Sequence, residues 1–178
     1  MPLTLLLDLD DTLLNTNMHV FMPAYFQALT AHVSGHIPPD EFMRALVGGV
    51  NRMNDNEDPR LTLREVFESH FYPRLGASKD DLQEIFDDFY EHAFPQLAFH
   101  TAPIAGAVEF VNWAEAAGFQ IAIATDPLFP LIATQHRLRW AGFDPERFKL
   151  VSAFEEFHFT KNHPAYYAEV LGALGWQE

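Results

Sequence analysis

The sequence predicts an α/β fold, a doubly wound parallel sheet carrying a block of helices inserted after its first strand. Three observations predict it. The run Leu3-Thr4-Leu5-Leu6-Leu7 is short, apolar and stops at a carboxylate, as expected of a strand buried on both faces of a parallel sheet. A second such run, Phe119 to Ala124, stops at Thr125, and a weaker third spans Phe148 to Val151 with Lys149 interrupting it. Helical segments separate and follow these runs, giving the strand, helix, strand, helix, strand order of doubly wound sheets.

Residues 14 to 98 break that order. The stretch is rich in Phe, Leu and Ala and is cut by turns at Gly35 to Pro39, Asn51 to Pro59 and Gly76 to Ser78. Helices are expected within Val20 to Ala31, Asp40 to Val47, Leu61 to Tyr72 and Lys79 to His92, packed as a small bundle. Gly48-Gly49 lacks the lysine and hydroxyl of a nucleotide-binding P-loop and reads as a helix stop. Beyond the insertion, Ile104, Val108 and Val111 recur at helical spacing, with Pro103 at the start and Gly118 as the stop. The next helix fits within Pro127 to Ala141, closed by Gly142, and Pro130 blurs its first residue. Pro164 opens a last helix with Tyr167, Val170, Leu171 and Leu174 along one side.

Composition limits the partners. With 48% hydrophobic residues, 178 residues can bury a core of one domain carrying an insertion. The 25 acidic against 11 basic residues leave a formal charge of −14, which repels a nucleic-acid backbone, so no nucleic-acid partner is expected. A small phosphate ester is still admissible where a divalent cation at a carboxylate cluster reverses the local potential. The absence of cysteine removes disulfides, thiolate catalysis and thiolate-bound zinc, and is compatible with a reducing cytoplasm, the expected location. No basic stretch precedes the first apolar run and no 18-residue apolar stretch exists, so neither a signal peptide nor a membrane span is expected. The nine His include no His-Glu-x-x-His pair, so a zinc protease is not indicated, and His158 and His163 matter only for their nearness to Lys161. The 17 Phe and 3 Trp fill space between helices and could shield a pocket, with Phe21, Tyr25 and Phe26 equally suited to line it or to form bundle core.

The chemistry concentrates at the end of the first strand, in Leu7-Asp8-Leu9-Asp10-Asp11-Thr12-Leu13-Leu14. Ligands of open parallel sheets bind at the carboxyl ends of strands, where these acids arrive. Three neighbouring acids repel one another, and a cation turns that repulsion into coordination, magnesium being the ion that prefers hard oxygen donors. While the chain is extended, Asp8 and Asp10 lie roughly on one side and can do separate jobs: Asp8 attacks phosphorus, and Asp10 protonates the departing oxygen and later deprotonates water. Thr12 could hold the following turn through its hydroxyl. A helix cap would explain only one of these acids. A signalling receiver domain would place its phosphorylated Asp on a later strand and carry no large helical insertion.

Two later residues suit the same chemistry. Thr125, followed by Asp126, ends the second strand where a hydroxyl and backbone N–H groups can bind phosphoryl oxygens, although either residue also serves as a simple cap before Pro127. Lys161 stands before the last helix, a point charge able to neutralise a phosphoryl group and restrain the nucleophile, although a surface position is the commoner fate of a lysine.

Together these residues resemble the haloacid dehalogenase-like superfamily of hydrolases. Asp8-Leu9-Asp10-Asp11-Thr12-Leu13-Leu14 matches its first motif, Thr125 the hydroxyl of its second and Lys161 the base of its third. The resemblance implies a Rossmann-like core from residues 1–13 and 99–178, with 14–98 as a helical cap that closes over the substrate. It also implies a phosphatase in which Asp8 is the nucleophile, Asp10 the general acid and base, Thr125, Asp126 and Lys161 the phosphate-binding residues, and Asp8 with the Asp10 main-chain carbonyl the ligands of Mg2+. Asp10 favours phosphate chemistry, since members that remove halide lack the second acid. The substrate class implied is a small phosphorylated metabolite, and a phosphomutase shares the same first steps. Two places differ from the usual pattern: Asp126 stands where Asn is frequent, and Asn162-His163 separate Lys161 from Pro164. The family continues into a further strand ending in acids that complete the metal site and flanks the first strand. Gly175-Trp176-Gln177-Glu178 contain no such strand, so the expectation is a chain that stops before it, with a weak magnesium site and an impaired or solely binding role as the rival reading.

Overall fold

Short apolar runs build the sheet. In the computed structural model, which describes residues 3–176, strand β1 (Thr4–Leu7) leads into a tight turn and a short β2 (Leu14–Asn15). Helices α1 (Met18–Val33), α2 (Pro39–Asn54), α3 (Leu63–Leu75) and α4 (Lys79–Asp88) follow, and the chain returns through β3 (Ala102–Pro103). Then come α5 (Ala107–Ala116), β4 (Gln120–Ile123), α6 (Leu131–Trp140), β5 (Leu150–Val151) and α7 (Ala165–Ala173). The sheet is parallel in the order β1-β4-β5, with Leu5 opposite Ile121 and Ile123 opposite Val151. The α/β fold class expected from the sequence is the one observed.

Burial corrects the reading of the first strand. Central β4 is the strand covered on both faces, with Ile121, Ala122 and Ile123 buried. Strand β1 lies at an edge of the described sheet and leaves Leu6 partly exposed. Ile121 and Ile123 point to one core with Val111, Leu138 and Phe143, whereas Ala124 joins Phe157, Tyr166 and Val170 in another. That second cluster also takes Met53 and Leu63 from the inserted helices. In α7 the buried face is Tyr166 and Val170, with Leu174 packed beside them; of the stripe expected from sequence Val170 and Leu174 face the core, while Tyr167 and Leu171 are exposed.

The inserted helices start where the caps say they should. Thr62 with Glu65 and Ser78 with Asp81 form reciprocal capping boxes at α3 and α4, and Pro39 occupies the first turn of α2, where its missing N–H costs nothing. The first backbone donors of α3 are also taken from outside the bundle: Leu63 N–H donates to the Phe157 carbonyl at 2.7 Å and Arg64 N–H to that of Phe154 at 2.9 Å. Past Asp88 the helix widens into a π turn, Phe89–Ala93, and tightens into a 3-10 segment, Phe94–His100, containing Pro95, which has no N–H to continue an α ladder. The expected helix through His92 therefore changes pitch before its end.

Two punctuation residues act differently from expectation. Pro103 opens no helix; it pairs with Leu14 in the antiparallel β2–β3 ribbon, which brings the two connections of the insertion side by side. Gly48 and Gly49 stop nothing, since α2 runs on to Asn54. They permit close approach of α3: a Cβ at Gly48 would lie 2.5 Å from His70 Nε2, and one at Gly49 2.6 Å from Phe67 Cδ2. Overpacking of this kind costs about 1–3 kcal/mol, against a gain of about 1 kcal/mol in helix propensity. Gly49→Ala is therefore expected to lower stability by about 1 kcal/mol in urea unfolding, where a substitution governed by propensity alone would raise it.

Candidate functional site

The turn after β1 is built by buried leucines and one crowded carbonyl. Leu9, Leu13 and Leu14 are buried, and the Leu9 carbonyl accepts from the N–H groups of Thr12, Leu13 and Leu14 at 3.3, 2.9 and 3.0 Å. Asp11 takes a left-handed conformation, φ 55°, which Asp tolerates better than bulkier residues. The reversal leaves the Asp8 and Asp10 carboxylates beyond the strand end, with Asp8 the more open at 38% side-chain exposure. Leu9 N–H donates to Asp8 Oδ1 at 2.8 Å, and Lys161 Nζ lies 3.0 Å from Asp8 Oδ2.

Asp10 is held on both oxygens. Thr16 Oγ1 donates to its Oδ1 at 2.5 Å, and the Arg137 guanidinium donates to its Oδ2. Thr12, expected to support the turn by its hydroxyl, is exposed; the hydroxyl at work is that of fully buried Thr16, whose N–H also donates to Asp11 Oδ1 at 3.2 Å. Arg137 comes from α6 and is 1% exposed. Its charge lies 5.0 Å from the ring centroid of Phe129 and 5.9 Å from that of Phe21, cation–π contacts that partly replace water. Neither Thr16 nor Arg137 was singled out by sequence. The cue for Thr16 is a hydroxyl six residues after Asp10, whereas nothing local distinguishes Arg137 from Arg139.

The second strand end is locked by buried hydroxyls. The Thr125 carbonyl accepts from Ser152 Oγ at 2.6 Å and from Tyr166 Oη at 2.7 Å, tying β4 to α7. Asp126 then does for Lys161 what a cap would do for a helix: its Oδ1 accepts the Lys161 N–H at 3.0 Å, which fixes the loop that carries the amine to Asp8. Burial pushes the Asp126 carboxyl above its usual range; the Lys161 N–H and charge pull it down, and the Asp8 charge pushes it up. The structure thus brings Asp8, Asp10, Asp126 and Lys161 to the carboxyl end of the sheet, with Thr125 buried at the same end of β4. Both His near Lys161 have other partners. His158 Nδ1 is 2.5 Å from Glu169 Oε1, and His163 stacks on Phe159 with its Nδ1 accepting the Ala165 N–H.

As to a cation, the donors present are oxygens only. Magnesium is commonly held through one or two carboxylates together with retained waters, which the Asp8 carboxylate and the Asp10 main chain suit. Among the described residues no group of three or more His, Cys, Asp or Glu is placed to hold a metal. Gln177 and Glu178, the latter expected to follow no apolar strand, lie outside the described residues. Among the described residues no helix is long and apolar enough to cross a membrane.

Comparison with known proteins agrees with this fold. A structure described as a predicted phosphoglycolate phosphatase from Haemophilus somnus 129PT is similar over 98% of this chain and 72% of its own, at 17% identity and a TM-score of 0.51. A CbbY variant from Rhodobacter sphaeroides in complex with xylulose-(1,5)bisphosphate is similar over 98% and 73%, at 18% identity and 0.55. A HAD phosphatase from Thermococcus onnurineus is similar over 99% and 73%, at 15% identity and 0.50. At these identities the likeness is one of fold. No curated protein sequence matches the chain. The family model described as haloacid dehalogenase-like hydrolase matches residues 3–178, and this chain belongs to that family of enzymes.

Proposed function

We propose that this chain is a magnesium-dependent phosphohydrolase that cleaves a small phosphate monoester through an aspartyl-phosphate on Asp8. The observation that carries the reading is the Lys161 ammonium 3.0 Å from Asp8 Oδ2, beside an Asp10 fastened by Thr16 and Arg137. The more open carboxylate suits attack, and the held one suits proton transfer at a defined place.

In this reading the Asp8 oxygen forms a bond to phosphorus as the ester P–O bond breaks, and Asp10 gives its proton to the departing oxygen. Water then attacks the phosphoryl group as Asp10 takes its proton, and the Asp8–phosphorus bond breaks to release phosphate. Lys161 offsets phosphoryl charge throughout, and Asp126 keeps it in place through the loop N–H. Asp8 and the Asp10 main-chain carbonyl are the residues that would hold magnesium, with Thr125 and Asp126 beside the phosphate. When bound, the ion neutralises phosphoryl oxygens that would otherwise meet two carboxylates. The helices of residues 14–98 serve as the cap on a core formed by 1–13 and 99–178, and a cytoplasmic setting fits the cysteine-free sequence.

The test is phosphate release from a panel of phosphate monoesters with magnesium, before and after chelation. Release is expected to fall at least about tenfold on chelation and to return with added magnesium. Release indifferent to chelation would remove the ion from the reading, and no release from any ester would remove the hydrolase chemistry.

A further inference from the structure

Resting on the phosphohydrolase reading, we infer that the ester's leaving group is an extended apolar chain, because a largely apolar cavity runs from Asp10 and Asp126 at the sheet end into the inserted helices. The cavity measures about 650 Å³, ample for a ligand well beyond a phosphate ion. Asp10, Asp126 and Arg137 line it at the sheet end. Met22, Tyr25, Phe42, Phe67, Phe71 and Phe86 are among its walls on the helical side. Of the aromatics left open by the sequence, Tyr25 and Phe26 face this space, whereas Phe21 is core. Met18, Met22 and Met53 add unbranched side chains that adapt to the shape of an apolar guest.

The polar groups on the walls weigh against a sugar. Tyr25 and Tyr90 hydroxyls pair with each other at 2.9 Å, Arg64 pairs with Glu68 at 3.1 Å, and Gln83 donates to Asp87 at 2.6 Å. Glu155 accepts the Leu131 N–H on both oxygens, and Asp10 is occupied by Thr16 and Arg137. A guest with several hydroxyls would give up its hydrogen bonds to water for walls that are mostly apolar, where several of the polar groups already bond one another, at a cost for each hydroxyl left unpaired. An alkyl chain surrenders nothing and gains burial. On these walls one buried donor is free: Arg137 Nε has no partner among the described residues. It lies on the residue that grips Asp10 at the sheet end of the cavity.

The experiment is binding of n-alkyl phosphonates, ethyl to octyl, to the full chain with magnesium by calorimetry, with inorganic phosphate as the baseline probe. Affinity is expected to rise about fourfold per buried methylene, reaching a hundredfold or more before it levels. The wall substitution Val50→Phe, checked for folding by circular dichroism, is expected to shorten the chain length at which affinity stops rising. Phosphate binding with no gain from the chain, or tighter binding of glycerol 3-phosphate than of octyl phosphonate, overturns the apolar assignment and leaves the phosphohydrolase reading standing. If neither phosphate nor any phosphonate binds, both fall.

Discussion

Asp8→Asn is expected to reduce phosphate release by about a thousandfold or more while leaving the melting temperature almost unchanged, because the substitution removes the nucleophile and little else. The asparagine carbonyl can still accept the Leu9 N–H that holds the side chain. What is lost structurally is one ion pair to Lys161, whose partners are 27% and 38% exposed. Pairs so open to solvent contribute about 0–1 kcal/mol, too little to unfold the chain. Activity and thermal melting should therefore separate. An Asp8→Asn protein that releases phosphate at the parent rate would end the nucleophile assignment.

Arg137→Ala is expected to lower both activity and stability. Its guanidinium is 1% exposed and its partner Asp10 18% exposed, so removal strands a carboxylate in a mostly dry place. Breaking a buried pair from one side costs about 3–5 kcal/mol, and the residual exposure of Asp10 puts this case near the lower figure. For a domain of this size that is a fall of roughly 6–12 °C in melting temperature. A double-mutant cycle with Asp10→Asn should return a coupling of about 1–3 kcal/mol, since the two side chains share the interaction. A melting temperature unchanged in Arg137→Ala would show that the pair does not hold the site together.

What could be read from the chain follows from how far each interaction reaches. The strand ends, the caps at Thr62 and Ser78 and the acids at 8 and 10 are local features, each visible within a handful of residues. Lys161 was legible through its place before a helix, and its proximity to Asp8 is a product of the parallel sheet. Arg137 was not, because its partner stands 127 residues away and neither local pattern marks the other. Thr12 and Thr16 show the same limit at short range, since only the left-handed turn at Asp11 decides which hydroxyl returns to Asp10. The paired glycines of α2 were misread because a close helix contact and a helix end call for the same residue. Pro103 was misread because a proline at a strand edge and one at a helix start look alike until a partner strand is known.

The amide contacts from Leu63 and Arg64 to the segment at Phe154 and Phe157 have a mechanical consequence. With the β2–β3 ribbon they tether the inserted helices at two separate points, so entry of a guest cannot proceed by a free swing about a single joint. Under the proposed function, admission of a substrate would then either break these two bonds or leave α3 moored while α1 and α4 yield. Amide hydrogen exchange at Leu63 and Arg64 distinguishes the two motions.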